Sequence, residues 1–284
     1  LVPGAACWVL RAGAGCDNLR VPYRFFAPAL DPGDETTLLP REEAEHLTRV
    51  LRLGVGDTVS VFDGRGHEFL ARVASADRRD VRVAIVSRVE PAIEPAVAIT
   101  LVQAVLKADK MDDVVRDAVM MGVAAIQPIV TRRTEVTVAA LLRGARVDRW
   151  KRIALASVKQ SRRAVVPEIR VPLTIDTFLD EPMPELALML VEPGAAAGGG
   201  AGGSCVEPVA DAAVNVEPVS VLRAASVPHD AAVLVGPEGG WDAPECCAAA
   251  YRGIRLITLG HRTLRADAAA VAAISVLQFL WGDL

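Results

Sequence analysis

The sequence predicts an α/β chain in two parts: a small β-rich N-terminal domain, then a mostly parallel sheet covered by helices on both faces. Three observations lead there. Short apolar runs separated by glycines fill residues 21–90, strand and helix patterns alternate from residue 97 onward, and 52% of the 284 residues are hydrophobic. With 23% charged residues, that content supports a packed core and argues against global disorder. No stretch approaches the roughly 18–20 uninterrupted apolar residues of a membrane span, so a soluble protein is expected; the run 266–280 holds Asp267.

In chain order, residues 1–20 lack periodicity and are expected to form a loosely ordered extension. Within the domain expected at 21–90, apolar residues Ala44, Leu47, Val50 and Leu51 mark a helix over 42–53, closed by Gly54. Runs 59–63, 68–73 and 79–85 are predicted strands, with Gly56, Gly64 and Gly66 in the turns. Residues 88–95, with two prolines, are expected to link this domain to the second, at 95–284. There the predicted strands are 97–105, 124–130, 186–191, 231–235 and 254–259. Predicted helices are 110–121, 147–161, 243–251 and 266–280. Such alternation implies a mostly parallel sheet. The Gly/Ala-rich insert at 193–205 is expected to be flexible.

Five cysteines, an odd number without a CxxC pair or a nearby histidine cluster, argue against a disulfide scaffold and a structural zinc. No metal site is expected, and without a signal-peptide pattern a cytoplasmic location is. The formal charge of −4 does not by itself suggest nucleic acid. Its distribution does. Residues 132–170 carry eleven bases against three acids, whereas 171–250 carry one base and twelve acids. Segregation of this kind creates a local positive field for phosphates, unless the two segments neutralise each other on folding.

Two strand-to-helix turns are the sharpest local features, LVGPEGG over 234–240 and LGHRTLR over 259–265. Glycines let a ligand approach the backbone, and such turns at the C-terminal edge of an open sheet can wall one crevice. Ordinary βα loops would look similar. No GxxxxGK[ST], GxSxG or strand-borne GxGxxG occurs, which removes P-loop, serine-hydrolase and dinucleotide signatures. His46, Arg49 and Arg52 share one predicted helix as a possible phosphate-contacting edge, with a plain solvated helix as the alternative.

Together these motifs resemble the ribosomal RNA small subunit methyltransferase E family of the SPOUT superfamily. The markers run in order: RFF at 24–26, HLTRVLRL at 46–53, GD at 56–57, FDG at 62–64, and QAVLK at 103–107 with DKM at 109–111. GV at 122–123 with Ile126 and Pro128, RW at 149–150, QS at 160–161 with Arg163, GPEGG at 236–240 and 259–265 complete the series. The resemblance implies a PUA-like β-barrel domain that helps hold RNA, and a SPOUT-type α/β domain with a deep trefoil knot. It further implies a homodimer that binds S-adenosylmethionine and methylates N3 of one uridine in 16S rRNA of the small ribosomal subunit, without metal or membrane.

Carried over by position, Leu234, Gly236, Gly240, Leu259, Gly260, Leu264 and Arg265 would surround the methyl donor. Arg24, His46, Arg49, Arg52, Arg133, Gln160 and Arg163 would meet RNA. For catalysis, Arg265 and Arg163 suit stabilisation of a developing uridine anion, while Glu238, or Asp267, is the nearest candidate base. The chain departs from the pattern at Met120 and Lys159, where acids are usual, and at Ala266-Asp267-Ala268 in place of Thr-Glu-Thr. Two alternatives stay open: a SPOUT methyltransferase for another RNA nucleotide, and a non-catalytic RNA-binding assembly factor.

Overall fold

The second domain is an eight-stranded parallel sheet whose longer strands send residues from their two faces into two separate cores. In the computed structural model, which describes residues 23–77, 80–193 and 215–284, the sheet order is β11-β13-β10-β12-β6-β7-β8, with β9 also paired to β7. These are β6 (Ala98–Ala104), β7 (Ala125–Val130), β8 (Glu168–Ile169), β9 (Leu173–Thr174), β10 (Leu186–Leu190), β11 (Val216–Pro218), β12 (Asp230–Val235) and β13 (Arg255–Thr258). In β12, Ala231, Val233 and Val235 join one core, and Ala232 and Leu234 the other.

The first core is covered by α2 (Lys110–Met120), α4 (Arg146–Ser161) and α7 (Ala266–Trp281), through Val115, Trp150, Val158, Ile274 and Leu277. The second lies under α5 (Ile175–Asp180) and α6 (Ala243–Tyr251), through Phe178, Leu179 and Ala249. Helix α3 (Val138–Arg143) is capped by the Thr137 hydroxyl, which accepts from the Ala140 N–H. The predicted strands and helices of this domain are present, most with ends shifted by one or two residues. Helices α3 and α5 and the short strands β8, β9 and β11 are additions, each too brief to leave a periodic signal.

The small domain is a five-stranded sheet ordered β1-β3-β4-β5-β2, formed by β1 (Arg24–Phe26), β2 (Thr36–Leu38), β3 (Thr58–Phe62), β4 (Glu68–Ala76) and β5 (Val81–Val89). Its core holds Phe25, Leu39, Leu47, Val61, Phe69 and Val83. The strand pairing runs as a path with β1 and β2 at its ends. The predicted helix over 42–53 is instead α1 (Arg41–Glu45) continuing into a π-helical turn, His46–Val50.

The expected linker at 88–95 is partly strand, and its end is fastened. The Ala92 N–H donates to the Arg162 carbonyl at 3.3 Å, and Glu94 pairs with Arg163. The extension 1–20 lies outside the described residues, as does the insert apart from Pro193. In α6, Cys246 is a free thiol and Cys247 is disulfide-bonded, which an odd cysteine count permits. No helix among the described residues is long and apolar enough to cross a membrane.

Candidate functional site

Three neighbouring parallel strands, β13, β10 and β12, end side by side, and the loops after them enclose one cavity of about 510 Å³. That volume lies within the usual range for small-molecule sites, about 300–1,000 Å³. The turn after β12 contributes Gly236 to Trp241, and the turn after β13 contributes Leu259 and Arg262 to Ala266. The third wall, Leu190 to Pro193, follows β10.

Local chemistry holds these walls together. The Trp241 indole N–H donates to the Leu190 carbonyl at 2.7 Å, tying the β12 turn to the end of β10. A side chain at Gly236 would place its Cβ 3.2 Å from that indole, so glycine there lets the ring lie flat against the turn. Gly240 adopts φ +70°, a left-handed conformation that L-residues rarely take. At the start of α6, the Asp242 N–H donates to Glu245 Oε2 at 2.8 Å, one arm of a capping box. The other oxygen of Glu245 accepts from the Arg132 N–H at 2.8 Å. This brings Arg133 to the rim, where its guanidinium donates to the Gly239 carbonyl at 2.7 Å and faces Asp242.

Charged groups at the cavity differ in how firmly they are held. Glu238 accepts from the Lys107 N–H at 3.1 Å and from Lys110 Nζ at 2.9 Å. Burial raises its pKa, but those bonds and the Lys110 charge outweigh it and hold the carboxyl below its ordinary value. A carboxylate so stabilised is a poor proton acceptor, which counts against Glu238 as the base. Arg265, the residue just before α7, forks onto Asp267 at 3.2 and 2.8 Å, yet its side chain is 71% exposed. Cys246 also lines the cavity; burial, then Glu245 and Asp242, push its thiol up to about 11.

Of the sequence-predicted residues, Gly236, Gly240, Leu259, Leu264, Arg265, Glu238 and Arg133 line this cavity. Leu234 does not: one residue earlier on β12, it points into the α5–α6 core and is fully buried. Gly260 lies in the β13 turn at φ +97° without lining the cavity. His46, Arg49, Arg52 and Gln160 are exposed, the first two on the π-helical turn and Gln160 near the end of α4.

Two arginines are placed elsewhere than expected. Arg24 directs all five guanidinium N–H donors inward: two to Glu68, and three to the carbonyls of Val158, Lys159 and Arg163, at 2.8–3.1 Å. It stacks over Phe62 and is 8% exposed, so it joins the domains and has no donor left for RNA. Arg163, 6% exposed, bonds Glu94 and the carbonyls of Val119 and Val123, far from any cavity-lining role. Residues that sequence reasoning missed include Leu190, Glu192, Trp241 and Arg262. Trp241, next to GPEGG, and Arg262, inside the turn 259–265, had a sequence cue; Leu190 and Glu192 had none.

Comparisons with known proteins agree with this layout. A family described as RNA methyltransferase domain matches residues 93–278, and one described as RNA methyltransferase PUA domain matches 39–86. The chain is 28% identical to ribosomal RNA small subunit methyltransferase E of Aquifex aeolicus, over 84% of this chain and 93% of that protein. It is 26% identical to the enzyme of that name from Mycobacterium bovis, over 92% and 94%. Among solved structures, ribosomal RNA small subunit methyltransferase E from Neisseria gonorrhoeae bound to S-adenosyl methionine aligns at 30% identity and TM-score 0.76, covering 93% of this chain and 99% of that one. A putative methyltransferase from Legionella pneumophila, in complex with the bound cofactor SAM, aligns at 29% and 0.76 with the same coverage.

Proposed function

The chain belongs to the RNA methyltransferase family, in its ribosomal RNA small subunit methyltransferase E branch, and on that premise we propose that it methylates N3 of one uridine in 16S rRNA, using S-adenosylmethionine. The observation that carries the reading is the single cavity enclosed by the loops after β10, β12 and β13. Its residues fit such a donor: Leu190, Leu259, Leu264 and Trp241 offer apolar surface for an adenine, while the glycine turns leave backbone within reach.

When bound, the cofactor supplies a methyl group on a sulfonium, which makes transfer favourable and leaves alignment to the protein. The N3–H of uridine is a weak acid, so attack requires loss of that proton and favours a nearby cation. Arg265 is the cation for this role. Its charge is permanent, its position is held by Asp267, and it sits at the cavity with most of its side chain open. The base must leave its stack to reach the cavity, at least cost from a single-stranded segment.

The reading includes a homodimer, a cytoplasmic location and a deep trefoil knot. For the dimer, α7 presents Ala268, Ala272, Ser275, Val276 and Phe279 on a half-buried to exposed stripe, Phe279 being 64% exposed. For the knot, the chain passes from β12 to β13 on the far side of β10, then returns as α7 to pack on β12 and β6. RNA contact by the small domain is supported by the exposed His46, Arg49 and Arg52. Of the departures, Met120 is exposed on α2, and Lys159 is engaged with Glu43 of the small domain.

Incubating the purified protein with 16S rRNA or small subunits and methyl-labelled donor, then mapping the label by mass spectrometry, tests the reading. Label on N3 of a single uridine is expected. Label on another atom or base would overturn the substrate assignment, and no transfer to either RNA form would overturn the activity.

A further inference from the structure

Six charged side chains line the donor cavity: Lys110, Arg133, Glu192, Glu238, Arg262 and Arg265. Four already have partners. Lys110 and Glu238 pair with each other at 2.9 Å, Arg133 donates to the Gly239 carbonyl and faces Asp242, and Arg265 is forked onto Asp267. Glu192 and Arg262 are exposed and have neither a hydrogen bond nor an ion pair among the described residues. Of the two, Glu192 is the one whose charged end reaches a second wall.

Glu192 stands two residues past the end of β10, on the wall that the Trp241 indole fastens through the Leu190 carbonyl. Its Oε1 lies against the β12 turn: a Cβ on Gly240 would come within 3.3 Å of it. Arg133 Nη1 is 4.0 Å from that same point, but it is donated to the Gly239 carbonyl and makes no ion pair with Glu192. An unpartnered carboxylate therefore sits at the seam between two walls, with Leu190 two residues before it in the chain and Trp241 one residue beyond the glycine it faces.

Leu190 and Trp241 are the apolar surface offered to an adenine. The sugar of an adenosine is joined directly to that ring, so it falls nearest the seam, whereas the amino-acid end of the donor lies beyond the sulfonium. A carboxylate has two oxygens that only accept, and a ribose presents two neighbouring hydroxyl donors. Charge-assisted O–H···O⁻ bonds are roughly twice as strong as neutral ones, and dinucleotide-binding folds set an acidic residue on the ribose in the same way. We propose that Glu192 reads the donor's sugar, its carboxylate accepting from the 2′ and 3′ hydroxyls, and so selects a ribonucleoside over its deoxy form. The inference rests on the donor cavity described above and adds the residue that recognises the ribose.

Calorimetry on Glu192→Ala with three probes tests this: S-adenosylhomocysteine, its 2′-deoxy form, and 5′-methylthioadenosine, which keeps the adenosine and lacks the amino-acid end. The unaltered protein should bind the 2′-deoxy form about 10–100-fold more weakly than S-adenosylhomocysteine. Glu192→Ala should weaken S-adenosylhomocysteine and 5′-methylthioadenosine by a similar factor and lose most of the discrimination against the deoxy form. Glu192→Gln, which keeps one oxygen acceptor without the charge, should fall between. Thermal unfolding of the ligand-free variants should match the unaltered protein, because Glu192 holds no described residue. Full 2′-deoxy discrimination in Glu192→Ala, none in the unaltered protein, or lowered stability of the ligand-free variant would overturn the role. Unchanged affinity for 5′-methylthioadenosine beside a loss for S-adenosylhomocysteine would overturn it too, by moving the carboxylate to the donor's ammonium. Failure of the unaltered protein to bind either ribose-bearing probe would count against the donor cavity itself.

Discussion

The joint between the domains and the cavity at the strand ends are both lined with arginine, and they use it in opposite ways. At the joint, Arg24 and Arg163 are 8% and 6% exposed, each satisfied by a carboxylate and several backbone carbonyls. At the cavity, Arg133 and Arg265 are 49% and 71% exposed, each with one acidic neighbour and donors to spare. A saturated guanidinium is a structural pin, whereas a half-engaged one can meet a ligand. Residue type alone does not separate these roles. The number of donors left over does.

Breaking either region should therefore give different losses. The largest concerns the cavity: Gly236→Val sets its Cβ only 3.2 Å from the Trp241 indole, and the branched side chain beyond it pushes the ring off the Leu190 carbonyl. Calorimetry should find donor affinity lower by at least about 100-fold, or ~2.7 kcal/mol. Arg24→Met strips Glu68 of its charged partner in a buried setting, leaving only the Ser60 hydroxyl, and should cost about 3–5 kcal/mol of stability. Urea unfolding measures that cost, with donor affinity in the folded protein unchanged. Arg265→Ala should do the reverse, slowing single-turnover transfer by about 10²–10³ with stability and donor binding held. Equal rates would discard the anion-stabilising role.

The smallest effect is on pH. Glu238 and Asp63 both have pKa values lowered in the folded protein, despite burial that raises them, through Lys110 for the first and His67 with backbone N–H groups for the second. Groups with depressed folded values stabilise above their unfolded values, 4.5 and 3.8, and lose that contribution as pH falls through the folded ones. Stability should accordingly fall below about pH 4.5, and Glu238→Gln should flatten that decline in an acid-unfolding series.

How much of this was legible in the sequence follows the same division. Strand–helix alternation and the glycine turns at 236–240 and 259–265 are local signals, and the structure has them in one cavity. The third wall, Leu190 to Pro193, carries no local mark, because it joins the cavity only through the sheet order β13-β10-β12. Leu234 was mislocated by a single residue, since neighbouring strand residues face opposite sides. Arg24 and Arg163 looked like phosphate ligands because their partners are mostly backbone carbonyls brought from distant segments, which no motif can display. Lys159 read as a departure from a family pattern, and its partner Glu43 lies 116 residues away.

A crystal structure of the protein with S-adenosylmethionine tests the central claim most directly. The account predicts the ligand between the turns 236–241 and 259–266, with Trp241, Leu259 and Leu264 against its adenosine. Ligand bound anywhere else, with that cavity closed by side chains, would contradict it.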